Sequence, residues 1–147
     1  MRLPTTVRYG ARALVELADA YPDHAVSVQQ VGQRQKISAK YLEHILKALK
    51  AAGLVQAVHG KHGGYVLTRS PGRITLKEVY GSLAGSLAPV HCLDDTDSCP
   101  MRDVCPTWDT WAEVEEAVEK VLERTTVQDL AERKRRKSVS SGPMYYV

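Results

Sequence analysis

A chain of 147 residues, 44% of them hydrophobic and 25% charged, has the size and composition of one globular domain, which excludes a disordered or fibrous protein. No apolar run approaches the roughly eighteen residues of a transmembrane helix, and Met1-Arg2-Leu3-Pro4-Thr5 lacks the apolar core of a secretory signal, so a reducing cytoplasm is the expectation. The net charge of +3 hides a polarity: residues 1–77 carry twelve Lys or Arg against four Asp or Glu, residues 78–131 three against twelve, and residues 132–147 five against one.

The basic first half points to an anionic partner, and the acidic middle would repel one. Val7, Ala11, Leu14, Ala18 and Tyr21 fall on one stripe and predict a first helix from about Thr6 to Tyr21, stopped by Pro22-Asp23. A second helix starts at Ser27, which has capping-box spacing with Gln30, and ends near Lys36. Val28 and Val31 form its short apolar face. Ser38 is a good N-cap for a third helix, whose buried stripe is Leu42, Ile45, Leu46 and Leu49, with Gly53 as its C-terminal cap.

Two short helices split by a tight turn at Lys36-Ile37 make a helix-turn-helix pattern. Leu54 to Val58 reads as a strand and Tyr65 to Thr68 as its return, around the basic, glycine-rich tip His59-Gly60-Lys61-His62-Gly63-Gly64. A recognition helix followed by a basic hairpin is the layout of a winged helix, whose wing reaches phosphates or the minor groove. A nucleotide-binding loop is the other reading of those glycines. It fails because no Gly-Lys-Ser/Thr follows and a strand comes next.

Thr75 and Glu78 have capping-box spacing for a helix through about Leu83, and residues 85–105 read as irregular. Pro106 suits the first position of a long helix with Trp108, Trp111, Val114, Val118, Val121 and Leu122 on one face. Pairing with its copy in a homodimer would bury that stripe; folding back over the N-terminal helices is the alternative. Beyond Asp129, Arg133-Lys134-Arg135-Arg136-Lys137 followed by Ser-Val-Ser-Ser-Gly reads as a flexible basic tail. The expected fold is mainly α with a small β-hairpin. It comprises a winged helix-turn-helix domain over 1–84, a cysteine-bearing loop over 85–105, a dimerisation helix over 106–124, and a short helix with a basic tail over 125–147.

Candidate contacts to double-stranded DNA are Ser27 and Val28 on the second helix, and Ser38, Ala39, Lys40, Tyr41, Glu43, His44 and Lys47 on the third. His59, Gly60, Lys61, His62 and Gly63 are those of the wing. Ser38 and Lys40 would position phosphates, while Glu43 could accept from a cytosine amine. A two-fold dimer would read a pseudo-palindromic operator. No Ser/His/Asp order, paired carboxylates or cofactor loop suggests an enzyme.

Cys92, Cys99 and Cys105 are the chain's only cysteines and lie within fourteen residues of one another. Their spacing is looser than the usual zinc pairs. Three thiolates in one loop suit an iron–sulfur cluster, and three unrelated thiols are the remaining possibility. Cys105 precedes a helix N-terminus, where the dipole favours thiolate.

Met1-Arg2-Leu3, Arg8 to Leu14 (RYGARAL), Ile37 to Glu43 (ISAKYLE), Leu49 to Val55 (LKAAGLV) and the wing His59 to Leu67 together resemble the Rrf-two family of bacterial regulators, in order over residues 1–124. The resemblance implies a dimeric winged-helix transcription factor, and its three-cysteine members imply a cluster whose state sets DNA affinity. In the IscR-like branch a histidine three residues after the last cysteine completes the ligands; that position is Trp108 here. In the NsrR-like branch a carboxylate near the start of the first helix does so; that place is Arg8. His91 is the first local candidate for a fourth ligand, followed by Asp94, Asp95, Asp97, Asp103 and Asp109. The expectation is one cluster per subunit, 2Fe–2S in preference to 4Fe–4S. The alternative is a winged-helix protein with a structural zinc or a thiol switch.

Overall fold

Helix α1 (Thr5–Ala20) buries residues almost all the way round: Leu14, Leu17 and Ala13 on one side, Val15, Glu16 and Ala18 on another. The structure, a computed structural model describing residues 1–141, explains this by what surrounds α1. Helices α3 (Ala39–Ala51) and α4 (Leu76–Ala84) pack on one flank, and α7 (Val127–Ser141) packs on the other. The core between them is aliphatic, with Leu14, Leu42, Ile45, Leu46, Leu49, Ile74 and Val79 fully buried.

The expected caps form. Ser27 Oγ accepts from Gln30 N at 3.1 Å, and Ser27 N donates to Gln30 Oε1 at 3.0 Å, which starts α2 (Val28–Gln35). The turn to α3 is made by Lys36 in the left-handed region at φ 57°, after which Ile37 is buried and Ser38 caps Tyr41 N at 3.2 Å. Strand β1 (Val55–Val58) pairs antiparallel with β2 (Gly64–Leu67), Val55 facing Leu67 and Val58 facing Gly64. Val26 adds a bridge to Tyr65, which fastens the wing to the start of α2. At Gly64, φ is +153° and a Cβ would run into the Val26 carbonyl, so only glycine lets the wing approach so closely.

Residues 85–105 carry two single turns, α5 (His91–Asp94) and a 3₁₀ turn at Arg102–Val104, in an otherwise irregular loop. Helix α6 (Trp108–Arg124) begins two residues after Pro106 and lies against α4 and α5. None of its residues is buried. No helix among the described residues is long and apolar enough to cross a membrane.

The flexible-tail reading is corrected. After α6 the chain is pinned to the core by Leu76 N to Thr125 O and Val127 N to Ile74 O, both 2.9 Å. Thr126 and Asp129 cap each other's backbone N–H, and α7 then runs to Ser141 with the basic run inside it. Val127 and Ala131 are fully buried. Residues 142–147 of the expected tail lie outside the described residues.

Candidate nucleic-acid interface and cysteine loop

Two concavities gather most of the anticipated DNA contacts. One, of about 530 Å³, lies between the start of α2 and the wing and is lined by Ser27, Gln30, Lys61, His62 and Gly63, with His24 at its edge. The other, of about 420 Å³, is lined by Ser38, Lys40, Tyr41 and His44 at the N-terminal end of α3. Glu43, Lys47, His59 and Gly60 are exposed beside them. A duplex groove edge and its flanking phosphates would meet cations and hydroxyls here, since helix-turn-helix proteins present the N-terminal residues of the recognition helix to bases.

Two members of the anticipated set behave differently. Val28 is 9% exposed because its side chain completes the core, so it can offer DNA only its backbone. Ala39 is half-buried against the same core.

Three residues of α1 were not anticipated. Tyr9 stands edge-on to Tyr41, ring centres 5.8 Å apart, and the guanidinium groups of Arg8 and Arg12 lie 5.8 and 5.3 Å from the Tyr9 ring. This extends the basic face from α3 onto α1. The i, i+4 spacing of Arg8 and Arg12 was visible in the sequence, but periodicity could not show that Tyr9 between them meets Tyr41 of the recognition helix.

A buried carboxylate ties the reading head to the C-terminal helix. Glu16, 2% exposed, accepts from Gln35 Nε2 at 2.5 Å and Lys134 Nζ at 2.9 Å, with Arg34 at 3.5 Å. Lys134 also reaches Asp19 at 2.5 Å. Burial pushes the Glu16 carboxyl up. The hydrogen bonds from Lys134 and Gln35 and the charges of Lys134 and Arg34 outweigh it, and the group is held below the ordinary carboxylate value.

The cysteine loop has another character. Cys92, Cys99 and Cys105 are free and half-buried. Cys105 Sγ lies 3.3 Å from Thr107 Oγ1, and that hydroxyl, with the backbone N–H groups of Thr107 and Trp108, lowers the thiol below its ordinary value of 9.0. His91 is exposed at the first position of α5. Trp108 holds its indole N–H buried without a hydrogen-bond partner, under the Arg102 guanidinium.

Three soft sulfur donors suit iron or zinc chemically. Their placement does not: among the described residues no three His, Cys, Asp or Glu side chains are gathered as a metal site. The loop would have to close to hold one.

Beside the loop, the α6 stripe is incompletely covered. Trp108, Val114, Val118 and Leu122 are half-buried, whereas Trp111 is 39% and Val121 46% exposed. A cleft of about 420 Å³ bordered by Met1, Tyr80, Pro89, Trp111 and Val114 continues the uncovered apolar surface.

The profile of the family described as "Rrf2: Iron-dependent Transcriptional regulator" matches residues 3–133. Protein rrf2 of Nitratidesulfovibrio vulgaris is 37% identical over 130 residues, covering 88% of this chain and 87% of that protein. The fold matches the structure of CymR, the global cysteine regulator of B. subtilis, with TM-score 0.75 and 33% identity over 90% of this chain and 98% of that one. It matches IscR of T. potens with TM-score 0.79 and 30% identity over 99% and 97%. These similarities agree with the recognition helix, the wing and the absence of an enzyme-like centre in the reading above. The chain therefore belongs to the Rrf2 family of winged-helix, DNA-binding transcriptional regulators.

Proposed function

We propose that the protein is a homodimeric regulator that reads a pseudo-palindromic operator and changes its DNA affinity with the state of the cysteine loop. The observation that carries this reading is an adjacency along the chain. The two basic concavities share the winged domain, and the only three cysteines lie on the segment that joins that domain to the uncovered stripe of α6. Pairing of α6 through Trp108, Trp111, Val114, Val118, Val121 and Leu122 would set two recognition helices at a fixed separation, as half-sites about one helical turn apart require.

In this reading Cys92, Cys99 and Cys105 bind one iron–sulfur cluster per subunit, of the 2Fe–2S type, when the loop closes. His91 is the candidate fourth ligand. The family's description as iron-dependent and the similarity to an IscR support it. A zinc- or thiol-based switch is the second reading, favoured by the ungathered sulfurs and by the thiolate-stabilising surroundings of Cys105.

The test is anaerobic purification of the full chain, an absorption spectrum with iron, sulfide and zinc assays, and affinity for a duplex selected from a random pool. The cluster reading expects iron and sulfide that are lost in Cys99→Ser, and at least a fivefold difference in operator affinity between loaded and stripped protein. Colourless protein with stoichiometric zinc would replace it by the second reading.

A further inference from the structure

Helix α7 closes over α1 and the end of α2 to leave a cleft of about 500 Å³ between α1, Gln35 and α7. Its floor is apolar, formed by Ala11, Val15 and Leu130. Its rim carries four cations, Arg12, Arg133, Lys134 and Lys137, and no carboxylate lines it among the described residues. Of the acids around it, Glu16 and Asp19 are engaged by Lys134, and Asp129 lies within electrostatic reach of Arg133.

The size suits a small organic molecule, since ligand pockets span roughly 300–1,000 Å³. An apolar floor under a one-sign cationic rim selects an anion with an apolar body. Bare phosphate would leave the floor wet, and a duplex is too broad to enter. We propose that this cleft binds a small organic carboxylate with an aromatic or aliphatic body, and that its occupancy is felt by the recognition helix.

The coupling runs through Arg12. Its Nε donates to Gln35 Oε1 at 2.8 Å, and its second nitrogen donates to the Gln35 carbonyl. Gln35 is the last residue of α2, one step before the left-handed Lys36 and three before the Ser38 cap of α3. A carboxylate that engages Arg12 competes with Gln35 for it and so alters the hold on the turn that aims α3. This site is separate from the cysteine loop, and its binding test needs neither iron nor an operator sequence, so it stands or falls independently of the function proposed above.

The experiment is calorimetric titration of the full chain with 2-naphthoate, with 2-naphthamide and inorganic phosphate as controls. Expected are saturable one-to-one binding of naphthoate, at least tenfold weaker binding of the amide, and no displacement by phosphate. NMR shifts should appear at the Gln35 side-chain amide and the Arg12 Nε. Arg133→Ala, on an exposed face of α7, should weaken naphthoate at least fivefold with unchanged circular dichroism, and Arg133→Lys should restore most of the loss. Equal binding of acid and amide, absence of saturable binding, or displacement of naphthoate by phosphate or unrelated duplex DNA would overturn the proposal. Displacement by DNA would assign the rim to the nucleic-acid interface instead.

Discussion

Replacing Lys134 by Met removes the ammonium that joins α7 to Glu16 while keeping most of the stem. Glu16 would lose a partner at 2.9 Å but keep Gln35 at 2.5 Å and Arg34 at 3.5 Å. Breaking a fully buried pair costs about 3–5 kcal/mol, and an exposed pair is worth about 0–1 kcal/mol. With Lys134 38% exposed and two donors remaining, the loss falls between, at about 1–2 kcal/mol or roughly 3–8 °C in Tm. The pH dependence follows from linkage. A depressed Glu16 contributes stability above the ordinary value of 4.5 and loses it as pH falls through the lower folded value. Lys134 behaves oppositely: burial opposes its charge, but Asp19 and Glu16 outweigh that and raise it above 10.5. Its contribution is therefore full below that pH and fades as pH rises through the raised value. Urea unfolding at fixed protomer concentration should show the full penalty near neutrality and a shrinking one below pH 4.5. A penalty under about 0.5 kcal/mol, or one constant with pH, would refute the buried network as the anchor of α7.

Lys61→Ala should weaken binding to all duplexes and reduce the salt slope by roughly one unit, read by anisotropy across a salt series; an unchanged slope would remove the wing from the phosphate contacts. Val118→Asp, which places a carboxylate in the α6 stripe, should raise the dimer dissociation constant about a hundredfold or more, as an uncompensated buried charge does; sedimentation showing wild-type and variant alike would exclude α6 as the interface. Thr107→Val removes the hydroxyl at 3.3 Å from Cys105 Sγ and should return the thiol toward 9.0. Iodoacetamide should then alkylate Cys105 more slowly near neutral pH, with the difference disappearing above pH 9.0; equal rates at neutral pH would count against Thr107 as the cause.

The winged domain was legible because its signals are local. Capping boxes at Ser27 with Gln30 and at Thr75 with Glu78, the stripe of α3 and the glycines of the wing each act within a few residues, and each element formed within about two residues of its expected bounds. A short helix after residue 124 was read, but its continuation through the basic run to Ser141 was not, since beyond Val127, Leu130 and Ala131 its sequence is nearly all polar, the pattern of a solvated tail. What holds it is Glu16, 118 residues away from Lys134 in sequence, and no periodicity reports such a partner. Val28 was read both as part of the apolar face of α2 and as a DNA contact; its burial bears out the first and leaves no side chain for the second. The cysteines lie on one loop as read, but spacing alone did not reveal that this conformation leaves them ungathered.

The placement of α7 also determines how the cysteine loop would act. At its C-terminal end α6 is fixed, because Thr125, Thr126 and Val127 bridge to Ile74, Thr75 and Leu76 next to the core. At its N-terminal end it is held by the loop itself, through α5 and through Trp108, whose indole N–H is unpaired. Along its length α6 buries no residue in the protomer, and its main polar tie is Lys77 to Glu119 at 2.6 Å. A rod fixed at one end and loosely held at the other converts a change in its loose end into a tilt about the fixed end. Under the proposed pairing, closure of the loop around Cys92, Cys99 and Cys105 would therefore move the uncovered stripe relative to the winged domain and change the separation of two recognition helices. A coupling of about 1–3 kcal/mol suffices to alter operator affinity from roughly fivefold to more than a hundredfold. The buried Glu16 network would keep the rest of the domain from absorbing such a motion, because it fastens α7, α1 and the end of α2 into one block.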